Sequence, residues 1–411
     1  MMHRMLMILA GFVLAACAAQ TAPDAQQAPN WQLVSAEEIA DARHIVLTVE
    51  RQDPAALTAL AALLEDDHPV VLVAEWPLAS IDVHCFVFRL VDGVETEATL
   101  AALRRDARVR TVQPMNRFTV STTTAETDLT TLQPDPDLRN LRAVHAVATG
   151  EGVRIGVVDT QPDAAHPDLS GRVVLARDFV AAPNASAPRA EAHGTAVSGV
   201  IAADDRDGSG MVGVAPDAAL LALRACWEPE DGPGAGGKGV CSSFSLARAL
   251  NFALGQDVDI LNLSINGPED PLLAELIESA RQKGIVMVAA RSGAEAPGFP
   301  ASAPGVLSVA ARGDTVGGDA PLQAPGRDVI STAPAGSYDF FSGSSIAAAY
   351  VSGVAALLVE RGSDLRTTVL RQALLGGKAG PSDTVSACDA VNTTLPLTQK
   401  LLCRPEITAV R

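Results

Sequence analysis

From residue 44 onward, short apolar runs alternate with longer stretches whose apolar positions recur at helical spacing. Ile45-Val46-Leu47-Thr48-Val49 reads as a strand, and residues 54–64, with Leu57, Leu60, Leu63 and Leu64 on one face, read as a helix. Residues 70–73 and 85–90 read as further strands, 96–105 as a second helix, and 109–120 as a last strand broken at Pro114. The order strand, helix, two strands, helix, strand predicts a small α+β sandwich at 44–120, with two helices on one face of an antiparallel, ferredoxin-like sheet. Residues 121–137 are rich in Thr, Asp and Pro and lack an apolar period, which predicts an exposed linker. Beyond it, from 138 to the end at 411, apolar runs at 153–158, 220–223, 260–263, 285–289 and 306–309 are separated by helical patterns. That is the signature of an α/β domain, a parallel sheet with helices on both faces.

Composition agrees with this reading. Hydrophobic residues make up 48% of the 411 positions but aromatics only 4%, so the core is built from Ala, Val, Leu and Ile, which suits sheets covered by helices. A formal net charge of -17 excludes a nucleic-acid backbone as partner, because phosphate binding relies on clustered Lys and Arg; its plain consequence is solubility.

The N-terminus has a different character. Arg4 precedes an apolar stretch at 5–13 that is too short to span a bilayer, the pattern of an export signal over 1–16. It ends in Leu14-Ala15-Ala16-Cys17, which resembles the lipobox of bacterial lipoproteins; the resemblance implies that Cys17 receives lipid and becomes the mature N-terminus. The alternative is an ordinary signal peptide cut at a small-residue site. Residues 17–43 then serve as a polar tether. Of the six cysteines, Cys226 with Cys241 and Cys388 with Cys403 are the local couples expected to form disulfides in an oxidising compartment, which leaves Cys85 odd. A zinc site is the other use of such cysteines, but the tight spacing and nearby His that zinc needs are missing.

Reactive groups in α/β sheets collect beyond the carboxyl ends of the strands. Asp159 directly follows the run 153–158, a place suited to holding an imidazole by its ring N–H, although many such Asp residues only cap a turn. His193 sits among small residues at the start of an apolar helical pattern, and Ser345 at the start of another, where unpaired N–H groups stabilise developing negative charge. Singly, these read as a core histidine and an ordinary serine cap. Together they resemble the three signature blocks of the subtilase family of serine proteases, in that family's chain order. Val157-Val158-Asp159-Thr160 with His166-Pro167-Asp168-Leu169 is similar to its Asp block, 193–199 to its His block, and Gly343-Ser344-Ser345-Ile346-Ala347-Ala348 to its Ser block.

The resemblance implies a serine endopeptidase in which Ser345 attacks the peptide carbonyl, His193 moves the proton and Asp159 orients the imidazole. It implies that Ser264, Ile265, Asn266 and Gly267 pair with the substrate backbone as an added strand. It also casts 44–120 as a prodomain that assists folding and lays its C-terminal tail in the active site; a permanent accessory domain is the other reading. The expected partners are therefore protein or peptide substrates, the chain's own prodomain, and a membrane reached through the lipid on Cys17. The expected location is the bacterial envelope, the outer membrane where the host has two, with release once the linker is cut.

Three departures qualify the picture. The family's oxyanion-hole Asn corresponds to Gly293 in Val288-Ala289-Ala290-Arg291-Ser292-Gly293. Ala349 and Tyr350 stand where Pro and His are usual. Asn266 replaces a usual Gly and, with Arg291 and Ser292, predicts a narrow or charged primary pocket that favours small or acidic residues before the scissile bond. Calcium is common in the family, and a structural calcium is an open expectation; Asp204-Asp205-Arg206-Asp207-Gly208 is acidic but completes no recognised loop, and a solvated turn is the plainer reading. No other cofactor is implied. The main rival function is a non-enzymatic envelope lipoprotein that keeps the fold as a binding module, with Gly293 as its support. An esterase on another α/β fold would place Ser before Asp and His within a Gly-x-Ser-x-Gly elbow, absent around Ser345.

Overall fold

A computed structural model of the chain describes residues 43–119, 123–124, 133, 135–139, 141–181, 188–205, 210–229, 239–291, 297–315, 321–364, 366–377 and 383–402. Cys17, the signal and the tether up to residue 42 lie outside them. The first sheet contains β1 (His44–Glu50), β2 (Val70–Leu78), β3 (Val83–Leu90) and β4 (Thr111–Pro114), with α1 (Pro54–Asp67) and α2 (Thr96–Leu103) between them. Its order is β2-β3-β1-β4 with every pairing antiparallel, the expected ferredoxin-like arrangement. Asp53 accepts from the Ala56 amide and Pro54 opens α1, a local start signal legible in the sequence. Leu57, Leu60 and Leu64 of α1 meet Ile45, Leu47, Phe86 and Phe88 of the sheet in one apolar cluster. Leu63, expected on that inward face, is instead exposed.

The strand expected over 109–120 is two strands in two sheets. Pro114 ends β4, because it has no N–H to continue the ladder. The chain then leaves as β5 (Arg117–Thr119) and β6 (Thr123–Thr124), so the segment expected to be an exposed linker is in part paired.

The large sheet has seven strands in the order β15-β14-β13-β12-β7-β9-β8. These are β7 (Arg154–Asp159), β8 (Val173–Asp178), β9 (Ala219–Arg224), β12 (Ile260–Leu263), β13 (Val286–Ala290), β14 (Val306–Ala311) and β15 (Leu322–Ala324). All six pairings are parallel. Such strands are covered on both faces, and β12 and β13 are buried at every residue. Four helices matter for the site: α3 (Ala192–Ala202), α4 (Ser243–Leu254), α5 (Pro271–Gln282) and α6 (Ser344–Glu360). Helix α6 is buried from Ser345 to Leu358 and packs against α3 and the central strands. Two small three-stranded sheets complete the frame. One joins β10 (Cys226–Trp227), β11 (Val240–Ser242) and β5; the other joins β16 (Val329–Ala333), β17 (Ser337–Ser342) and β6.

The first sheet seats on α4 and α5. Trp76 meets the Phe244 ring edge-on at 4.6 Å, and Arg110 pairs with Glu275 at 2.9 Å. Asn116 donates to Asp270 at 3.0 Å, its carbonyl accepts the Ser243 amide, and Gln113 accepts the Leu272 amide. The free thiol of Cys85 is sealed in the first sheet, and burial raises its pKa. Cys226 and Cys241 form a disulfide, as expected. Cys388 is also disulfide-bonded; Cys403, its expected partner, lies outside the described residues.

Candidate active site

β7 delivers Asp159 to the carboxyl end of the sheet, where it is fully buried. His193 is the second residue of α3 and is equally buried. Its Nδ1 lies 2.6 Å from Asp159 Oδ1, which also accepts the Thr160 amide at 2.6 Å. Gly194 makes this approach possible: a Cβ there would stand 2.2 Å from the Thr160 carbonyl oxygen. Any larger residue would push α3 off the Asp159 turn and open the imidazole–carboxylate contact. Gly194 N–H instead donates to Thr160 Oγ1 at 2.9 Å.

Ser345 is the second residue of α6, at the positive end of a 17-residue helix. Its hydroxyl donates to the Ser264 carbonyl at 3.2 Å. Asn262 Nδ2 donates to Ser264 Oγ at 2.9 Å, that hydroxyl donates to the Ser345 carbonyl at 3.1 Å, and Ser352 Oγ donates to Asn262 Oδ1 at 2.9 Å. This buried chain ties α6 to the end of β12. His193 Nε2 is buried and has no hydrogen-bond partner among the described residues. The structure thus assembles the Asp159–His193 pair and fixes Ser345 against Ser264, with the serine hydroxyl turned toward the Ser264 carbonyl and not toward the imidazole.

The predicted edge at 264–267 is an edge that pairs. Thr119 N–H donates to the Asn266 carbonyl at 2.8 Å, and Asn266 N–H to the Thr119 carbonyl at 2.9 Å. On its other side the same segment pairs with β11, with Arg117, Phe118 and Thr119 opposite Ser242, Cys241 and Val240. Phe118 is fully buried between the two, 6.2 Å from the Phe299 ring. Gly267 leaves it room: a Cβ at 267 would lie 2.2 Å from the Phe118 ring. Further along, Thr123 and Thr124 pair with Ser342 and Phe341 of β17, three residues before Ser345. The resemblance implies a tail laid at this edge, but the anchoring residue was missed, because Phe118 looked like one more apolar position of a strand.

The Asn266 side chain lies against Gly298, and its Oδ1 is buried with no hydrogen-bond partner among the described residues. Arg291 is buried at the end of β13, its amide bonded to the Val309 carbonyl. Ser292 and the oxyanion-hole candidate Gly293 lie outside the described residues. Tyr350 is fully buried, and its hydroxyl accepts the Ala387 amide at 2.9 Å; burial raises its pKa, and the departure at this position ties α6 to the C-terminal helix Ala387–Asn392.

Among the described residues no group of three His, Cys, Asp or Glu is arranged to hold a metal ion. In the acidic run, Asp205 pairs with Arg142, and residues 206–208 lie outside the described set. Asp168 of the Asp block has protein partners: Tyr338 donates to both its oxygens, at 2.9 and 3.0 Å, and the Met211 amide to one at 2.9 Å.

Comparison with known proteins defines the class. A sequence model of the subtilase family matches residues 150–387. Thermitase of Thermoactinomyces vulgaris is 34% identical over 238 residues, which cover 54% of this chain and 81% of that protein. The major intracellular serine protease of Bacillus subtilis (strain 168) is 32% identical over 51% of this chain and 69% of its own. The thermophilic serine proteinase of Bacillus sp. (strain AK1) is 31% identical over 70% of this chain and 72% of its own. Among solved structures, fervidolysin from Fervidobacterium pennivorans, described as a keratinolytic enzyme related to subtilisin, superposes with a TM-score of 0.67. That match covers 86% of this chain and 62% of the other at 22% identity, a likeness of fold. The chain belongs to the subtilase family, the subtilisin-like serine proteases.

Proposed function

We propose that this chain is a serine endopeptidase made as a precursor, with Asp159, His193 and Ser345 as its triad, and that its first substrate is its own segment 120–122. The observation that carries the reading is the pair of anchors on either side of Ser345. Thr119 is held by Asn266, two residues past Ser264, whose carbonyl touches the Ser345 hydroxyl; Thr123 is held by Ser342. Four residue steps from 119 to 123 span at most about 14 Å. Residues 120–122 join these two anchors, and the proposal is that one of their peptide bonds is the one cut.

In the reaction, Ser345 Oγ turns from the Ser264 carbonyl toward His193 Nε2, a rotation about one side-chain bond. It gives its proton to that nitrogen and bonds to the substrate carbonyl carbon. The imidazolium is stabilised by Asp159 Oδ1 on the opposite ring nitrogen. The Ser345 amide, at the start of α6, donates to the oxyanion. As the C–N bond breaks, the proton passes from Nε2 to the leaving amine; water, deprotonated in turn by His193, then hydrolyses the ester. Loss of one oxyanion donor costs about 10²–10³ in turnover, a magnitude that itself comes from a subtilisin, so replacement of the usual Asn by Gly293 lowers turnover without removing the chemistry. The Asn266 side chain against Gly298 supports a preference for small residues before the scissile bond.

The region 44–120 acts as prodomain, and lipid on Cys17 anchors the precursor at the envelope. A cut at 120–122 severs that anchor from the catalytic part, and the contacts of Trp76, Arg110 and Asn116 with α4 and α5 hold the two together without a covalent bond. The test compares wild type with Ser345→Ala, following intact mass and hydrolysis of casein. Cleavage within 120–122 and casein hydrolysis by wild type alone are expected. A folded wild type that does neither, even after removal of 44–120, refutes the proposal in favour of a binding module.

A further inference from the structure

The helix that carries His193 is not capped by its own first residue. Glu191 occupies the N-cap position of α3 but makes no capping bond with its side chain. Its buried carboxylate is turned away, accepting from the Gln161 amide at 2.7 Å, from Arg224 Nε at 3.1 Å and Nη2 at 3.2 Å, and from the Glu228 amide at 2.9 Å. Arg224 is also paired with Asp178 at 3.2 Å, so one guanidinium is shared by two carboxylates and holds Glu191 where it lies. The orphan amides at the start of α3 are met from outside: Glu228 Oε1 accepts the His193 N–H at 2.8 Å and Oε2 the Ala192 N–H at 3.2 Å. An exposed helix start is satisfied well enough by water. Here a carboxylate 35 residues away in sequence grips the amide of the catalytic histidine itself.

Glu228 stands directly after β10, on the hairpin that the Cys226–Cys241 disulfide closes. The opposite strand of that hairpin, β11, is the one paired with Arg117–Thr119. The β10–β11 pair thus meets the segment Arg117–Thr119 through one strand and the His193 backbone through the residue after the other. The charged groups that face His193 are Asp159 at its ring, Glu228 at its amide, and Glu191 two residues before it, bonded to Arg224.

We propose that Glu228 is a positioning residue, which sets the His193 backbone so that the imidazole meets both Asp159 and the reacting serine. It touches neither substrate nor reacting atoms, and acts through the catalytic helix. A misplacement of about 1 Å costs catalysis on the order of a hundredfold; loss of a cap lets the first turn fray rather than unfold the helix. This inference rests on the peptidase reading above.

The test uses Glu228→Ala and Glu228→Gln in the full chain. Precursor self-cleavage, followed by intact mass, is a single intramolecular turnover and has no KM. Mature enzyme on a peptide substrate then separates kcat from KM, and thermal midpoints report folding. In Glu228→Ala, self-cleavage and kcat are expected to fall at least tenfold with KM within twofold of wild type. Glu228→Gln keeps one acceptor for the His193 amide and is expected to recover to within about threefold. A kcat unchanged in Glu228→Ala overturns the proposal, as does a rise in KM alone, which would make Glu228 part of the substrate groove. A fall in kcat that tracks a fallen thermal midpoint, with no rescue by Gln, overturns it as well, by reducing the residue to a stabilising cap. An inactive wild type refutes the peptidase reading and this inference together, whereas an active wild type with an unaffected Glu228→Ala refutes only the latter.

Discussion

Phe118→Ala tests whether the segment before the proposed self-cleavage site is held as a substrate would be. Phe118 is fully buried, yet it belongs to a three-residue strand whose other two members are exposed, so its burial is the main apolar grip on the tail. Truncating a buried Phe to Ala removes about 3–5 kcal/mol. At about 1.4 kcal/mol per factor of ten, that weakens docking of the tail by hundreds to thousands. Self-cleavage, followed by intact mass against time, is expected to slow tenfold or more, and the cleaved prodomain to lose its inhibition of casein hydrolysis. Gly267→Ala attacks the same contact from the other side, because its new Cβ would lie 2.2 Å from the Phe118 ring. The two substitutions are therefore expected to be strongly non-additive: with the ring gone, the methyl at 267 has nothing to strike. A Phe118→Ala precursor that folds, cleaves itself at the wild-type rate and yields an equally inhibitory prodomain refutes the anchoring argument. Additive effects in the double variant refute the proposed pocket.

Two further perturbations bear on stability. Tyr350→Phe leaves the buried Ala387 amide without an acceptor and is expected to destabilise the protein by about 1–3 kcal/mol, measured by denaturant midpoint on the Ser345→Ala background; a change under about 0.5 kcal/mol would show that the tie is idle. In the first sheet's domain, hydrogen bonds from Arg108, opposed by desolvation and joined by His68, hold the Asp106 carboxyl well below the usual carboxylate range. A carboxyl depressed in the folded state contributes stability above its unfolded pKa of about 3.9 and loses it as pH falls through the folded value. The stability difference between wild type and Asp106→Asn, on the order of 1 kcal/mol after solvent screening, is expected to be full near pH 6 and to shrink below pH 4. A difference that is flat from pH 6 to pH 2 would remove the ion pair as its cause.

Much of the site was legible locally. Asp159, His193 and Ser345 each stand at the end of a strand or the start of a helix, and those ends are written in short-range signals: a run of apolar residues that stops, small residues, an apolar helical period. Asp53 before Pro54 and the alternation of strands with helices after residue 138 were equally readable, because period and capping depend on residues a few positions apart. Local pattern could not say where 117–119 would pair. Arg-Phe-Thr is an acceptable end to the strand before it, and only Pro114, together with the unpaired edges at β11 and Asn266, sends it to a different sheet.

The same holds for Glu191 and Glu228. By position, Glu191 is the residue to cap α3; once folded, Arg224 claims its carboxylate and Glu228 takes over the helix start. The sequence by itself determined the elements, the parallel sheet and the three residues at its reactive end, since each follows from neighbours along the chain. Tertiary structure alone decided which strand edges meet and which carboxylate caps the helix that carries His193. Those outcomes depend on competition among partners more than a hundred residues apart in the case of Phe118 and Cys241, and a buried polar or apolar group takes whichever partner the whole fold brings to it.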